Sequence, residues 1–199
     1  MFSPDRAAFQ KAADSGANLI PLAQSWPADL ETPLTTWIKV GAGRPPGVLL
    51  ESVEGGETLG RWSVIACDPL WTASARGDRL TRRWRDGASD VHQGNPFDGL
   101  RHCLSPYRCA KLPGLPPLGQ LYGMWGYELI HWIEPTVPIH PQDDTAPADG
   151  IWMLMDGILI FDQVKRLITA VAYADLSGVC SVGTAWQSAL ARIADLRRR

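Results

Sequence analysis

The chain has 199 residues, of which 45% are hydrophobic and 20% are charged. This composition is typical of a soluble globular protein and excludes a disordered or fibrous one. A formal net charge of −2 offers no positive field to phosphate groups, so no nucleic-acid partner is expected.

The sequence contains neither an apolar run long enough to span a bilayer nor a secretory signal. We therefore expect a cytoplasmic protein with no membrane partner. The four cysteines lack the paired spacing of a zinc site or redox motif, which predicts free thiols in a reducing compartment.

The N-terminal part is predicted to hold two helices with a strand between them. Ser3 followed by Pro4 is typical of a helix start with Ser3 as its N-cap, and Gly16 is expected to end this helix. Residues 18–23 form a short apolar run that predicts a strand. Thr32-Pro33 repeats the pattern of a capping residue followed by proline, which predicts a second helix.

Strands and turns are predicted from Gly47 to about Val91. Gly77-Asp78 and Asp86-Gly87 are turn signals between apolar and alternating runs. Their spacing of about eight to twelve residues is typical of an antiparallel meander.

The second half of the chain is predicted to contain two further helices and several strands. Asn95-Pro96 has the signature of a helix start. Strands are predicted over 151–161, with an interruption near Asp156-Gly157, and over 167–173, and an amphipathic helix is predicted from Gly183. This order of elements indicates an α+β fold with a mostly antiparallel sheet and flanking helices.

Two of the predicted strands, 48–50 and 158–161, are apolar at every position. Such strands are normally covered on both faces. Because only four short helices are predicted, we expect the sheet to be covered in part by polypeptide outside these 199 residues.

The segment LLESVEGGE, Leu49 to Glu57, is the most informative stretch of the sequence. An apolar run stops at Glu51 and Ser52, and a turn with two glycines predicts a β-hairpin. The adjacent carboxylate and hydroxyl are suited to receive the ammonium group of a small ligand. The alternative is a hairpin end in which both side chains bond nearby backbone amides.

No complete catalytic or phosphate-binding motif occurs in the sequence. Glu128 and His131 have the Glu-x-x-His spacing of a metal ligand pair, but the second such pair and the further glutamates of a di-iron site are absent. Asp149 is expected in a solvated turn, and Asp156 and Asp162 are expected to form turns at strand ends.

Several segments together resemble the N-terminal region of anthranilate synthase component I, and the similarity covers nearly the whole chain. Two stretches, 68–71 and 132–135, are most similar to cyanobacterial members of the family. The segments that carry the resemblance are Ala28–Pro33, Leu49–Glu57, Gly60–Ile65, Gly123–Glu128, Ile160–Arg166 and Ala172–Asp175.

The resemblance implies an enzyme of tryptophan biosynthesis, a lyase that converts chorismate to anthranilate in a Mg2+-dependent step. Ammonia would come from a glutamine amidotransferase partner, component II, and tryptophan would inhibit allosterically by binding away from the chemistry. The matching positions imply that Leu50, Glu51 and Ser52 contact the tryptophan inhibitor. Arg61, from the following strand, is a further candidate for this contact.

The family's residues for chorismate and Mg2+ lie in a C-terminal half that the sequence does not match. We therefore expect residues 1–199 to be one N-terminal unit of the enzyme fold, a fragment that is inactive alone, holds neither catalytic residues nor a metal site, and works with the missing C-terminal chorismate-binding half. Three alternatives stay open. The first is the same region of aminodeoxychorismate synthase component I, of the folate pathway, the second is a stand-alone amino-acid-binding regulator without catalysis, and the third is an inert remnant.

Overall fold

The computed structural model describes residues 2–41, 43–51, 60–111, 113, 119–134, 136–138, 147–178 and 180–199. It has an α+β fold with two antiparallel sheets, which confirms the predicted fold class. The helices are α1 (Arg6–Asp14), α2 (Pro33–Val40), α3 (Pro96–Leu104) and α4 (Val182–Arg198), with a 3-10 helix at Tyr127–Trp132. The strands are β1 (Phe2–Ser3), β2 (Leu19–Pro27), β3 (Gly47–Leu50), β4 (Trp62–Cys67), β5 (Trp71–Arg76), β6 (Arg79–Trp84), β7 (Ser89–Gln93), β8 (Leu121–Trp125), β9 (Gly150–Leu154), β10 (Gly157–Asp162) and β11 (Leu167–Asp175).

Residue contacts divide the chain into two compact units. The first unit comprises residues 1–69, 107–118 and 155–199, and the second comprises 70–106 and 119–154. Each unit contains one of the two sheets. The expectation that residues 1–199 act as one unit stays a prediction.

The sheet of the first unit has the strand order β1-β2-β11-β10-β4-β3. Its helix-covered side contributes Ile65, Leu159 and Ile168 to a core that also contains Phe9 of α1 and Ile193 of α4. Burial of these aliphatic and aromatic side chains is the main stabilising contribution to this unit.

The opposite side of this sheet is buried as well. Val64, Ile160 and Val171 point away from the helix side by strand alternation, and all three are buried. All six residues of β10 are buried, so the expectation that such strands need cover from outside the chain is wrong for β10. At the sheet edge, β3 ends in an exposed Leu50.

The sheet of the second unit has the order β7-β6-β5-β9-β8. The predicted turn at Gly77-Asp78 is a two-residue connection between the paired residues Arg76 and Arg79, and Gly77 takes the positive φ of 54° that such turns require. Beneath the sheet, the Trp125 ring packs against Trp152 at 4.2 Å and Phe97 at 4.3 Å between ring centroids.

The helix boundaries follow their capping residues. The Thr32 side chain accepts a hydrogen bond from the Thr35 amide at 3.1 Å, and the Thr35 hydroxyl accepts one from the Thr32 amide at 2.9 Å, which confirms the predicted start of α2. The predicted cap of α1 at Ser3 is wrong, because Ser3 belongs to β1 and pairs with Ala23. Asp5 caps α1 instead by accepting from the Ala8 amide at 2.8 Å.

None of the described helices is long and apolar enough to cross a membrane.

Candidate functional site

The end of β3 and the start of β4 form one end of the sheet in the first unit. Leu50 pairs with Val64 in the antiparallel register, and Arg61 precedes Val64 by three positions. Because neighbouring antiparallel strands run in opposite directions, Leu50, Glu51 and Arg61 lie at the same end of the sheet. Glu51 is exposed there. Ser52 and the glycines of the predicted hairpin turn lie outside the described residues.

Arg61 forms a bidentate ion pair with Asp162, the last residue of β10. Its Nε donates to Oδ1 of Asp162 at 3.0 Å, and its Nη2 donates to Oδ2 at 2.7 Å. The guanidinium carbon lies 4.5 Å from the centre of the Trp62 ring. Two parallel hydrogen bonds and a ring contact fix the orientation of Arg61 beside the candidate site.

The Asp162 carboxylate also organises the turn that follows β10. Its Oδ1 accepts hydrogen bonds from the backbone amides of Val164 at 3.1 Å and Lys165 at 3.0 Å. Burial raises the pKa of this carboxyl, but the hydrogen bond from Arg61 and those from the two amides outweigh burial, so the net pKa lies below its usual value. Asp162 is therefore a charged acceptor of four hydrogen bonds.

Further hydrogen bonds join the start of β4 to the segment after β10. The Gln163 amide donates to the Arg61 carbonyl at 2.9 Å, and its side chain donates to the hydroxyl of buried Ser63 at 3.3 Å. The start of β4 is thus held by both main-chain and side-chain contacts.

The lowered pKa of Asp162 predicts acid-sensitive stability. An aspartate in an unfolded chain titrates at about pH 3.9. Because the pKa of Asp162 is lower in the folded state, the charged carboxylate stabilises the fold above that pH. This contribution to the free energy of unfolding is lost as pH falls through the folded-state pKa. Asp162→Asn should therefore flatten the decline in the free energy of unfolding between about pH 5 and pH 2, measured by urea titration at each pH. An unchanged decline in the variant would contradict this.

Several acidic residues have different surroundings from those predicted. Asp149 is buried, and its Oδ2 accepts from the Gly77 amide at 2.7 Å, so the expectation of a solvated turn residue is wrong. Asp156 accepts from Nε of Arg192 on α4 at 3.1 Å. Asp162 forms the turn predicted for it, whereas its pairing with Arg61 was not predicted.

The Glu-x-x-His segment lies in the 3-10 helix. There the His131 Nε2 and the Glu128 Oε2 are 2.5 Å apart, so the two side chains contact each other. Among the described residues, no group of three or more histidine, cysteine, aspartate or glutamate side chains could hold a metal ion. All four cysteines are free; two are buried, Cys67 and Cys103, and two are exposed, Cys109 and Cys180.

The fold is similar to that of a solved protein structure. The structure of anthranilate synthase component I from Streptococcus pneumoniae matches with a TM-score of 0.52 and 23% identity, over 85% of this chain and 35% of that one. The two antiparallel sheets with flanking helices are therefore an arrangement found in this class of protein.

Sequence relatives of the chain carry the same name as this solved structure. Anthranilate synthase component 1 of Synechocystis is 50% identical over 98% of this chain, and that of Cereibacter sphaeroides is 32% identical over 96%. The chain is a homologue of anthranilate synthase component 1 along almost its whole length, as its motifs predicted. It spans 39% of the length of these two relatives. No family model matches the sequence.

Proposed function

We propose that this chain is the tryptophan-sensing N-terminal part of an anthranilate synthase component I. Together with a C-terminal chorismate-binding half, it would convert chorismate and ammonia to anthranilate. The observation that carries the proposal is the 50% identity with the Synechocystis protein over 98% of the chain. The names of the relatives given above favour anthranilate over the product of aminodeoxychorismate synthase.

The end of β3 supplies the groups that recognise the inhibitor in this proposal. Glu51 would form a charge-assisted hydrogen bond with the ammonium group of tryptophan, Ser52 would add a hydrogen bond, and Leu50 would contact the apolar part of the ligand. Glu51 and Leu50 are exposed at this end of the sheet, which supports their availability to a ligand.

Arg61 takes a mainly positioning role in the proposal. Two of its guanidinium nitrogens donate to Asp162, so a ligand would have to share Arg61 with that carboxylate. Through Arg61, Asp162 holds the start of β4.

Inhibition would follow from a two-state equilibrium. Tryptophan would bind better to a conformation with a poor chorismate site, and the coupling free energy of such systems is typically about 1–3 kcal/mol. As the resemblance implies, we assign Mg2+, along with the chemical step, to the remainder of the enzyme. Ammonia would be supplied by a glutamine amidotransferase, component II.

A chimeric enzyme tests the function directly. This chain would replace the 198 aligned residues of the Synechocystis protein, and the purified chimera would receive chorismate, Mg2+ and ammonium. The proposal requires anthranilate as the product, identified by mass and fluorescence. Formation of 4-amino-4-deoxychorismate would instead assign the chain to aminodeoxychorismate synthase, and a folded chimera without activity would contradict both.

Ser52→Phe is predicted to relieve tryptophan inhibition in this chimera. Phenylalanine cannot form the hydrogen bond of the Ser52 hydroxyl, and its large ring would occupy space that the bound tryptophan needs. The inhibition constant for tryptophan should therefore rise about tenfold or more, equivalent to about 1.4 kcal/mol. The turnover number without tryptophan should change little, because the residue lies outside the reaction centre. Ser89→Phe, at an exposed position of β7, is the matched control and should leave inhibition intact. Unchanged inhibition in Ser52→Phe would remove Ser52 from the site.

A further inference from the structure

Ser63 carries a fully buried hydroxyl near the start of β4 in the first unit. The residue pairs with Phe161 of β10, and Phe161 belongs to the core on the helix-covered side of the sheet. Because paired residues share a face of a sheet, Ser63 points to that side as well. A hydroxyl buried in this way needs a hydrogen-bond partner to offset the loss of water.

The side chain of Gln163 is this partner. Its Nε2 donates to the Ser63 Oγ at 3.3 Å, and its backbone amide donates to the Arg61 carbonyl at 2.9 Å. These two bonds hold the side-chain amide of Gln163 over the first residues of β4, although Gln163 itself is exposed. A primary amide has a donor nitrogen and an acceptor oxygen, so the bond through Nε2 leaves Oε1 to accept from a further group.

Glu51 is the neighbour of Ser63 on the adjacent strand. Leu50 and Val64 form the last pair between β3 and β4, and one position further along these two strands are Glu51 and Ser63. Residues opposite each other on antiparallel strands have their Cβ atoms about 5 Å apart. The side chain of Gln163 reaches Ser63 from the other side, from the end of β10. A single residue of β4 therefore lies between Glu51 and Gln163.

The alternation of side chains puts Glu51 and Ser63 on the same side of the sheet. Leu49, two positions before Glu51, packs against the helix-covered core, and side chains two positions apart in an extended strand point in the same direction. The carboxylate of Glu51 and the amide oxygen of Gln163 are therefore two hydrogen-bond acceptors at one end of the sheet and on one side of it.

We propose that Gln163 is a further residue of the tryptophan site, where its Oε1 accepts a hydrogen bond from the ammonium group of the inhibitor beside Glu51. This inference rests on the proposed function and adds to it a residue from outside the LLESVEGGE segment. An ammonium group has three N–H donors, so a second acceptor next to the carboxylate improves its solvation in the bound state. The bond to Ser63 holds the amide in place before the ligand arrives, which lowers the entropic cost of binding.

Inhibition of the chimera described above by L-tryptophan tests this assignment. Gln163→Leu should raise the inhibition constant about tenfold or more, because a hydrogen bond to a charged group is lost. The turnover number and the Michaelis constant for chorismate, both measured without tryptophan, should stay the same. Gln163→Glu should restore the inhibition, since its carboxylate can accept from the ammonium group and also from the hydroxyl of Ser63.

Two further variants are controls for this experiment. Gln93→Leu makes the same chemical change at an exposed glutamine of β7, in the second unit. Val164→Ala changes an exposed side chain at the next position of the same turn. Both variants should be inhibited by tryptophan as strongly as the unmodified chimera.

An unchanged inhibition constant in Gln163→Leu would overturn the assignment, as would a loss of inhibition that Gln163→Glu does not restore. A parallel loss of turnover, or an equal loss of inhibition in Val164→Ala, would also overturn it, because the turn would then act only through the fold. A tryptophan-inhibited chimera that Gln163→Leu leaves unaffected refutes the role of Gln163 alone. A chimera that forms anthranilate but does not bind tryptophan refutes the proposed sensing function, and the role of Gln163 with it.

Discussion

Asp162→Ala is expected to lower the free energy of unfolding by about 2–4 kcal/mol, because removing one partner leaves the other groups of a buried ion pair unsatisfied. The substitution removes the acceptor of Arg61 Nε and Nη2 and of the Val164 and Lys165 amides. Arg61 keeps partial contact with water, which limits the loss to less than that of a fully buried pair. Urea unfolding, followed by circular dichroism, measures this change in the free energy of unfolding.

A second bidentate pair in the chain is a matched control for Asp162→Ala. Nε and Nη2 of Arg82 donate to the two carboxylate oxygens of Asp90 at 3.2 and 2.5 Å, but Asp90 is half-exposed on the edge strand β7. Asp90→Ala should cost less than about 1 kcal/mol, as exposed ion pairs generally do. Equal losses of unfolding free energy in Asp162→Ala and Asp90→Ala would show that the burial of Asp162 adds no stability to its ion pair with Arg61.

Gly123→Ala is expected to destabilise the second unit, although alanine usually replaces glycine within a strand at no cost. A Cβ at position 123 would lie 2.3 Å from the Ile151 carbonyl oxygen and 2.5 Å from Cδ1 of Trp152. Because the nearest atom belongs to the backbone, β8 and β9 would have to move apart. Overpacking of this kind costs about 1–3 kcal/mol, and we expect the upper end of that range.

Gly119→Ala is the matched control for Gly123→Ala. A Cβ at position 119 would have the Leu121 amide nitrogen at 4.0 Å as its nearest neighbour, so this variant should unfold like the wild type. Thermal unfolding and the exchange of β8 amides both report the difference between the two variants. A Gly123→Ala protein as stable as Gly119→Ala would contradict the close approach of β8 to β9.

Features set by neighbouring residues were predictable from the sequence. The start of α3 at Asn95-Pro96 follows from a short-range rule, and the Asn95 side chain indeed accepts from the Phe97 amide at 2.9 Å. The turn at Asp86-Gly87 likewise has the predicted glycine with a positive φ of 93°. The predicted cap at Ser3 failed because a strand pairing with Ala23, distant in sequence, took that residue.

Features set by distant partners were not predictable from these patterns. Strands β9 and β10 are separated by two residues, yet they belong to different sheets, which their shared apolar character does not reveal. The Arg61–Asp162 pair joins residues 101 positions apart. The position of Asp162 at the end of an apolar strand was a signal for an ion pair. Turn formation, however, explained a carboxylate at this position equally well.

The candidate site was predictable from its motif only in part. Leu50 and Glu51 lie at the strand end where the apolar run predicted one, while Ser52 lies outside the described residues. Ligand contact by Leu50, Glu51, Ser52 and Arg61 stays a prediction. The fold places Leu50, Glu51 and Arg61 at the same end of the sheet, and Ser52 follows Glu51 in the sequence.

Calorimetric titration of L-tryptophan into the chimeric enzyme tests the central claim most directly, that the end of β3 is the inhibitor site. We predict binding to the unmodified chimera and an affinity weakened about tenfold or more in Glu51→Gln, because a charge-assisted hydrogen bond is lost. Glu134→Gln, at an exposed glutamate of the other unit, should bind as the unmodified chimera does. Equal tryptophan affinity in Glu51→Gln and the unmodified enzyme would contradict the account.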